Sequence, residues 1–252
     1  MKKFQSLLIG LLVFSSLHQA SGQQVYNAND YGGPGTIYLY NDLFGFQQDT
    51  ILTRSGTDVT WDLSSFTNIR THPEKIVAKE AAFDFFTFLT ICALGGHNAL
   101  DCANIWNNTD QAWLVTDTVS LFQFSLTDLQ RYQTISNSSL LENFLGFNAH
   151  LGTMNVAAVV VYQNPDTILH FPVVYGDHFT SSTAWTIDLA PAGQNVKYTS
   201  HQQRETSIDA WGDILTPNQT FNNVVRMRSL VHRQDTLVTD TMTVPLNLTQ
   251  VE

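Results

Sequence analysis

Apolar and polar positions alternate most regularly over residues 209–228. Two apolar runs flank Pro217-Asn218-Gln219, and in the second Val225 and Met227 alternate with Arg226 and Arg228. A two-residue period sends successive side chains to opposite faces of an extended strand. The segment therefore predicts an antiparallel hairpin, with Val225 and Met227 inward and both arginines outward, within reach of acidic neighbours across the sheet. Similar runs predict strands at 36–40, 59–63, 112–116, 119–124, 156–162, 167–174, 196–200, 204–210, 223–231 and 236–244. Tight signals join several of them, as Asn164-Pro165-Asp166 separates 159–162 from 168–171. One stretch departs from this pattern. Residues 73–82 carry Pro near the start, acid early and helix formers throughout, then run into the aromatic-rich 83–94. They predict one short helix or two strands, with 83–94 buried.

Composition agrees with β structure. Thr, Val and aromatic residues are plentiful, Lys and Glu are scarce, and turn residues recur every ten to fifteen positions. No linker, low-complexity tract or repeat divides the chain. The expectation is one all-β domain over 23–252, an antiparallel β-sandwich or strongly curved sheet with at most one short helix. Trp61 and Phe66 are expected in its core, and Pro172 at an edge or bulge.

The first 22 residues read as a signal peptide. Lys2 and Lys3 precede an apolar run from Leu7 to Leu17, and Ala20-Ser21-Gly22 supplies small residues before a cut at Gln23. The run is too short for a bilayer core of about 30 Å. The chain carries a formal net charge of −10, and every acidic residue follows the cut. Such a balance argues against nucleic acid or an anionic membrane surface as partner, since both call for a basic face. Two cysteines, Cys92 and Cys102, lie either side of Gly95-Gly96, and an even count in an exported chain favours a disulfide. Two thiols, one of them reactive, are the competing reading.

Several separated segments resemble a group of secreted, mostly uncharacterised Bacteroidetes proteins. They are Thr60-Trp61-Asp62-Leu63-Ser64-Ser65, Leu145-Gly146-Phe147, Leu169-His170-Phe171-Pro172-Val173-Val174-Tyr175-Gly176-Asp177-His178-Phe179, and the 209–228 hairpin. They occur in the group's order and span nearly all of 23–252. The resemblance implies export, and in the group the module usually precedes a C-terminal sorting domain for type IX secretion. No such domain follows here before Glu252, which implies either a fragment or another export route. It names no reaction. Asp-Thr-apolar triplets at Thr50, Thr118, Thr167, Thr236 and Thr241 resemble the O-glycosylation acceptor pattern of exported proteins from the same organisms. The same triplets also fit an Asp that ends a turn before a Thr that opens a strand. Sequons at Asn107, Asn137, Asn218 and Asn247 matter only in a eukaryotic host.

Chemical motifs are sparse. There is no Gly-x-Ser-x-Gly elbow, phosphate loop, His-Glu-x-x-His or dinucleotide fingerprint. Outside the leader the histidines are His72, His97, His150, His170, His178, His201 and His232, with no close pair of the kind zinc ligands favour. No cofactor or metal is expected. Asp177-His178 remain the candidates for catalysis, to be completed by a distant Ser as in a triad. Asp177 beside Gly176 also fits an ordinary turn. Two functions are therefore carried forward. One is a secreted or cell-surface module for binding, adhesion or structure, with a glycan or an extracellular protein as partner. The other is a secreted hydrolase acting on a polymer through Asp177, His178 or another histidine.

Overall fold

In a computed structural model the described residues are 25–44, 53–115, 119–121, 124–151, 154–188, 190 and 195–251. The leader, the cut at Gln23, Thr50 and Thr118 lie outside them. The described chain is all-β in character and sandwich-like, built from two stacked sheets with helices over one of them.

Strands β1 (Ile37–Phe44), β3 (Thr67–Ala78), β4 (Gln111–Val115), β6 (Phe124–Ile135), β7 (Ser139–Leu151) and β8 (Met154–His170) form the first sheet in that order. The short β5 (Val119–Leu121) pairs with β6. The second sheet is built on the long hairpin of β10 (Val196–Leu215) and β11 (Thr220–Thr239), with β12 (Thr243–Val251) beside β11. Along the other side of β10, β9 (His178–Asp188) pairs antiparallel with its first half. The parallel β2 (Gly56–Asp62) pairs with its last turns. Gly212 permits that approach, since a Cβ there would lie 1.8 Å from the Val59 carbonyl oxygen.

The inner faces meet in two apolar clusters. One joins Phe147, Ala149 and Val160 of the first sheet to Trp185, Ile187 and Tyr198 of the second. The other joins Leu140 and Leu169 to Ile208 and Val225, and Phe171 and Val173 close over it. Trp61 is fully buried, as its type predicted, with the Arg226 guanidinium 5.8 Å from its ring centre. The two sheets are also tied along one side. The Thr167 N–H donates to Ser181 Oγ at 2.8 Å, and Thr183 Oγ1 donates to the Asn164 carbonyl at 2.7 Å.

Three departures from the sequence reading have local causes. The helical content exceeds the single short helix expected. Residues 73–78 continue β3, and α1 (Lys79–Ala82), α2 (Phe85–Leu94) and α3 (Ala99–Asn107) follow. These helices cover the outer face of the first sheet, where Phe88, Trp106, Tyr132 and Phe144 pack together. Caps start them: Asp84 accepts from the Phe86 and Thr87 N–H groups, and Asn98 accepts from that of Asp101. The Lys79 ammonium satisfies the Trp106 and Thr109 carbonyls at the end of α3. Cys92 of α2 and Cys102 of α3 form a disulfide, with 6.0 Å between their Cα atoms.

Asn164-Pro165-Asp166 is not a turn. Glu142 pairs with Asp166 and Phe144 with Val161, so Tyr162, Gln163, Asn164 and Pro165 together oppose Asn143 in a wide bulge. A bulge tolerates Pro because the ladder there demands no N–H. Pro172 lies just after β8 rather than within a strand.

Met227, expected inward, is 36 % exposed. Its register partner is the buried Ile208, so Met227 keeps the inward phase, but its side chain reaches solvent there. Val225 does pack on the core, and Arg226 pairs across the hairpin with Asp209 at 2.7 Å.

Candidate functional site

On β10 the even-numbered residues Ser200, Arg204, Thr206 and Ile208 are buried, while His201 and Gln203 between them are exposed. The even set faces the first sheet. The odd set forms the middle column of an outer face, with β9 and β11 supplying the columns on either side. Register arranges this face in rows. His178, Ser207 and Arg228 stand abreast, then Thr180, Glu205 and Leu230, then Ser182, Gln203 and His232, then Ala184, His201 and Gln234.

Two depressions lie on this face. The larger, of about 340 Å³, covers the last two rows and is bordered by Gln163 and Asn164 of the β8 bulge. Its lining offers amides, imidazoles and hydroxyls, which donate and accept hydrogen bonds, and it contains no Asp, Glu, Lys or Arg. One imidazole is already oriented, with His232 Nδ1 3.2 Å from Thr249 Oγ1. The smaller depression, of about 120 Å³, is lined by His178, Glu205, Ser207, Arg228 and Leu230.

The structure thus separates the two sequence candidates. Asp177 is a turn residue: its carboxylate accepts from the Val174 N–H and its carbonyl from the Ile208 N–H. Gly176 before it has φ +94°, the left-handed conformation that the turn requires. His178 opens β9 with its side chain exposed, directly opposite Ser207. Direct cross-strand neighbours have Cβ atoms about 4.5–5.5 Å apart, close enough for a hydroxyl–imidazole contact. Glu205 lies one row away. Among the described residues, however, no hydrogen bond joins the His178 ring to the Ser207 hydroxyl. Ser207 could not have been singled out from sequence, because only the register of β9 on β10 brings it to His178.

The described glycosylation candidates differ in setting. Thr241 is exposed in the β11–β12 turn, whereas Thr167 and Thr236 are half-buried within strands. Their preceding residues, Asp166 and Asp235, are buried in the core rather than ending turns.

A second set of titratable groups is sealed between the sheets. Arg204 of β10 reaches Asp166 of β8 at 3.0 Å, and Gln202 donates to the same carboxylate oxygen at 2.8 Å. Glu142, the cross-strand partner of Asp166, accepts from the Tyr162 hydroxyl at 2.6 Å and lies 3.9 Å from Arg131. Burial pushes the Glu142 carboxyl above its usual range, against the pull of Arg131, and burial also drives the Tyr162 hydroxyl well up. Asp235 similarly binds Arg233 at 3.1 Å and accepts from the Tyr198 hydroxyl. Of these contacts, those of Arg204 and Gln202 with Asp166 cross from one sheet to the other and tie the two together.

Among the described residues no group of three or more His, Cys, Asp or Glu could hold a metal ion, and no helix is long and apolar enough to cross a membrane. Comparisons with protein-family models, with curated proteins and with solved structures find no match. The outer face of the second sheet is therefore assessed on its own chemistry.

Proposed function

We propose that the protein is a secreted or cell-surface binding module that recognises a glycan on the outer face of its second sheet. The observation that carries this reading is the open depression of about 340 Å³ lined wholly by uncharged side chains, most of them hydrogen-bonding. Sugar hydroxyls both donate and accept, and the amides, hydroxyls and imidazoles of Gln, Asn, Ser and His match them without an Asp, Glu, Lys or Arg to desolvate. The depression is open to solvent rather than enclosed. That shape suits a segment of a chain polymer more than a small molecule, whose sites bury most of the ligand. The apolar leader and the resemblance to exported proteins support a location where such polymers occur. Calorimetric titration against extracellular polysaccharides tests the reading, with Gln203→Ala and His232→Ala expected to weaken binding while the fold stays intact. Full binding by both variants would exclude this face.

A hydrolase is the second reading, favoured by one observation: His178 stands opposite Ser207 with Glu205 close by. Nucleophilic hydrolysis by that set predicts ester turnover, through an acyl-Ser207 intermediate that water then cleaves, which Ser207→Ala abolishes. Glycoside hydrolysis by paired acids needs two carboxylates facing one bond, and Glu205 is the only carboxylate lining either depression.

A further inference from the structure

The two depressions occupy consecutive rows of one face, from Ser207 at one end to His201 at the other. Six residues of strand make this a strip about 20 Å long. Its chemistry is not uniform. The His201 and Gln203 rows carry no charge, the next row carries the carboxylate of Glu205, and the last carries the guanidinium of Arg228. Among the described residues no ion pair engages Arg228, although acidic residues outnumber basic ones by 22 to 12 in the chain. Beside it in the same row stand the Ser207 hydroxyl and the His178 ring. A planar guanidinium flanked by a hydroxyl and an imidazole is a donor set for a carboxylate.

Resting on the binding reading above, we infer that the strip takes one extended glycan. Its neutral units lie over Gln203, His232 and Gln234, and a single acidic sugar at its end places a carboxylate on Arg228, Ser207 and His178. Glu205 fixes the limit of this preference. A second acidic unit one row inward would meet that carboxylate, so a neutral chain with one terminal acid fits better than a uniformly acidic polymer. A strand step of about 6.8 Å separates the two rows, enough to keep the bound carboxylate clear of Glu205.

The test uses a set of neutral tetrasaccharides of different sugars and linkages, each beside a counterpart ending in one uronic acid, with tetraglutamate as a peptide control. The best uronic-ended member should bind at least about tenfold more tightly than its neutral counterpart, the worth of one charge-assisted contact. Arg228→Gln should erase the difference between the two members of a pair, whereas Gln203→Ala should weaken both and keep it. Equal affinity within every pair would overturn the acidic-end assignment and leave the binding reading standing. Binding by no member would overturn both, and tetraglutamate binding as tightly as the best glycan would replace the glycan with an acidic peptide.

Discussion

Replacing Arg204 by Met removes the cation that crosses from one sheet to the other. Arg204 is 6 % exposed and its partner Asp166 2 %, so water does not replace the lost contact. The carboxylate keeps the Gln202 amide at 2.8 Å as a donor, but its other oxygen already has no hydrogen-bond partner among the described residues. Leaving a buried charge uncompensated costs about 3–5 kcal/mol, a large part of the roughly 5–15 kcal/mol that holds a domain together. Equilibrium urea unfolding, followed by the fluorescence of the buried Trp61 and Trp185, measures the loss. The double variant Arg204→Met, Asp166→Leu removes both charges and should recover at least half of it, since apolar replacements of a buried pair are often neutral. A single variant that loses less than about 1 kcal/mol, or a double variant no better than the single, would refute the view that this pair is a closed structural contact.

Glu142→Gln tests the neighbouring carboxyl. Because burial raises its native pKa, the wild type holds its full stability below the ordinary carboxylate range and loses stability as pH rises through the raised value. The variant should therefore match the wild type near pH 4 and exceed it at pH 8; the reverse order would show that Arg131 and Arg204 favour the charged form. Reducing the Cys92–Cys102 bridge, or changing both residues to Ser, should cost about 2–3 kcal/mol for so short a loop. Intact mass with and without alkylation should detect no free thiol in the purified protein. Val225→Asp should destabilise by several kcal/mol because Val225 packs on the inter-sheet core. Met227→Lys should stay within about 0.5 kcal/mol, since Met227 lies at the surface.

The hairpin and most strands were legible because two-residue alternation survives wherever one face is buried. It failed at Pro165, where a residue pair that usually turns the chain sits in a bulge, whereas Met227 keeps the inward phase opposite Ile208 and is exposed all the same. The helices were partly hidden for a different reason. Residues 83–94 are apolar almost throughout, so no helical period stands out, and the signal lay in the caps Asp84 and Asn98 rather than in the run. A linear scan does not connect Asp166, Glu142 and Arg204, because strand pairing brings Glu142 to Asp166 and sheet stacking brings Arg204 to it. Of the candidate face, His178 was visible beside Gly176. Ser207, Glu205 and Arg228 joined it only through register, and the depression around Gln203 and His232 left no local trace.

The order of strands has a consequence for how the chain reaches this state. The chain leaves the first sheet after β1, contributes β2 to the second, and returns for β3, so neither sheet can be completed while the other is absent. Gly56 meets Ala210 across more than half the sequence, a long-range closure of the kind that slows folding. A fragment beginning at β8 would carry every residue lining the outer face, yet from Ala210 to Leu215 it would leave β10 with β11 on one side and an open edge on the other. An unpaired edge beside apolar side chains invites other chains to add to it, so ligand binding is best measured on the intact protein.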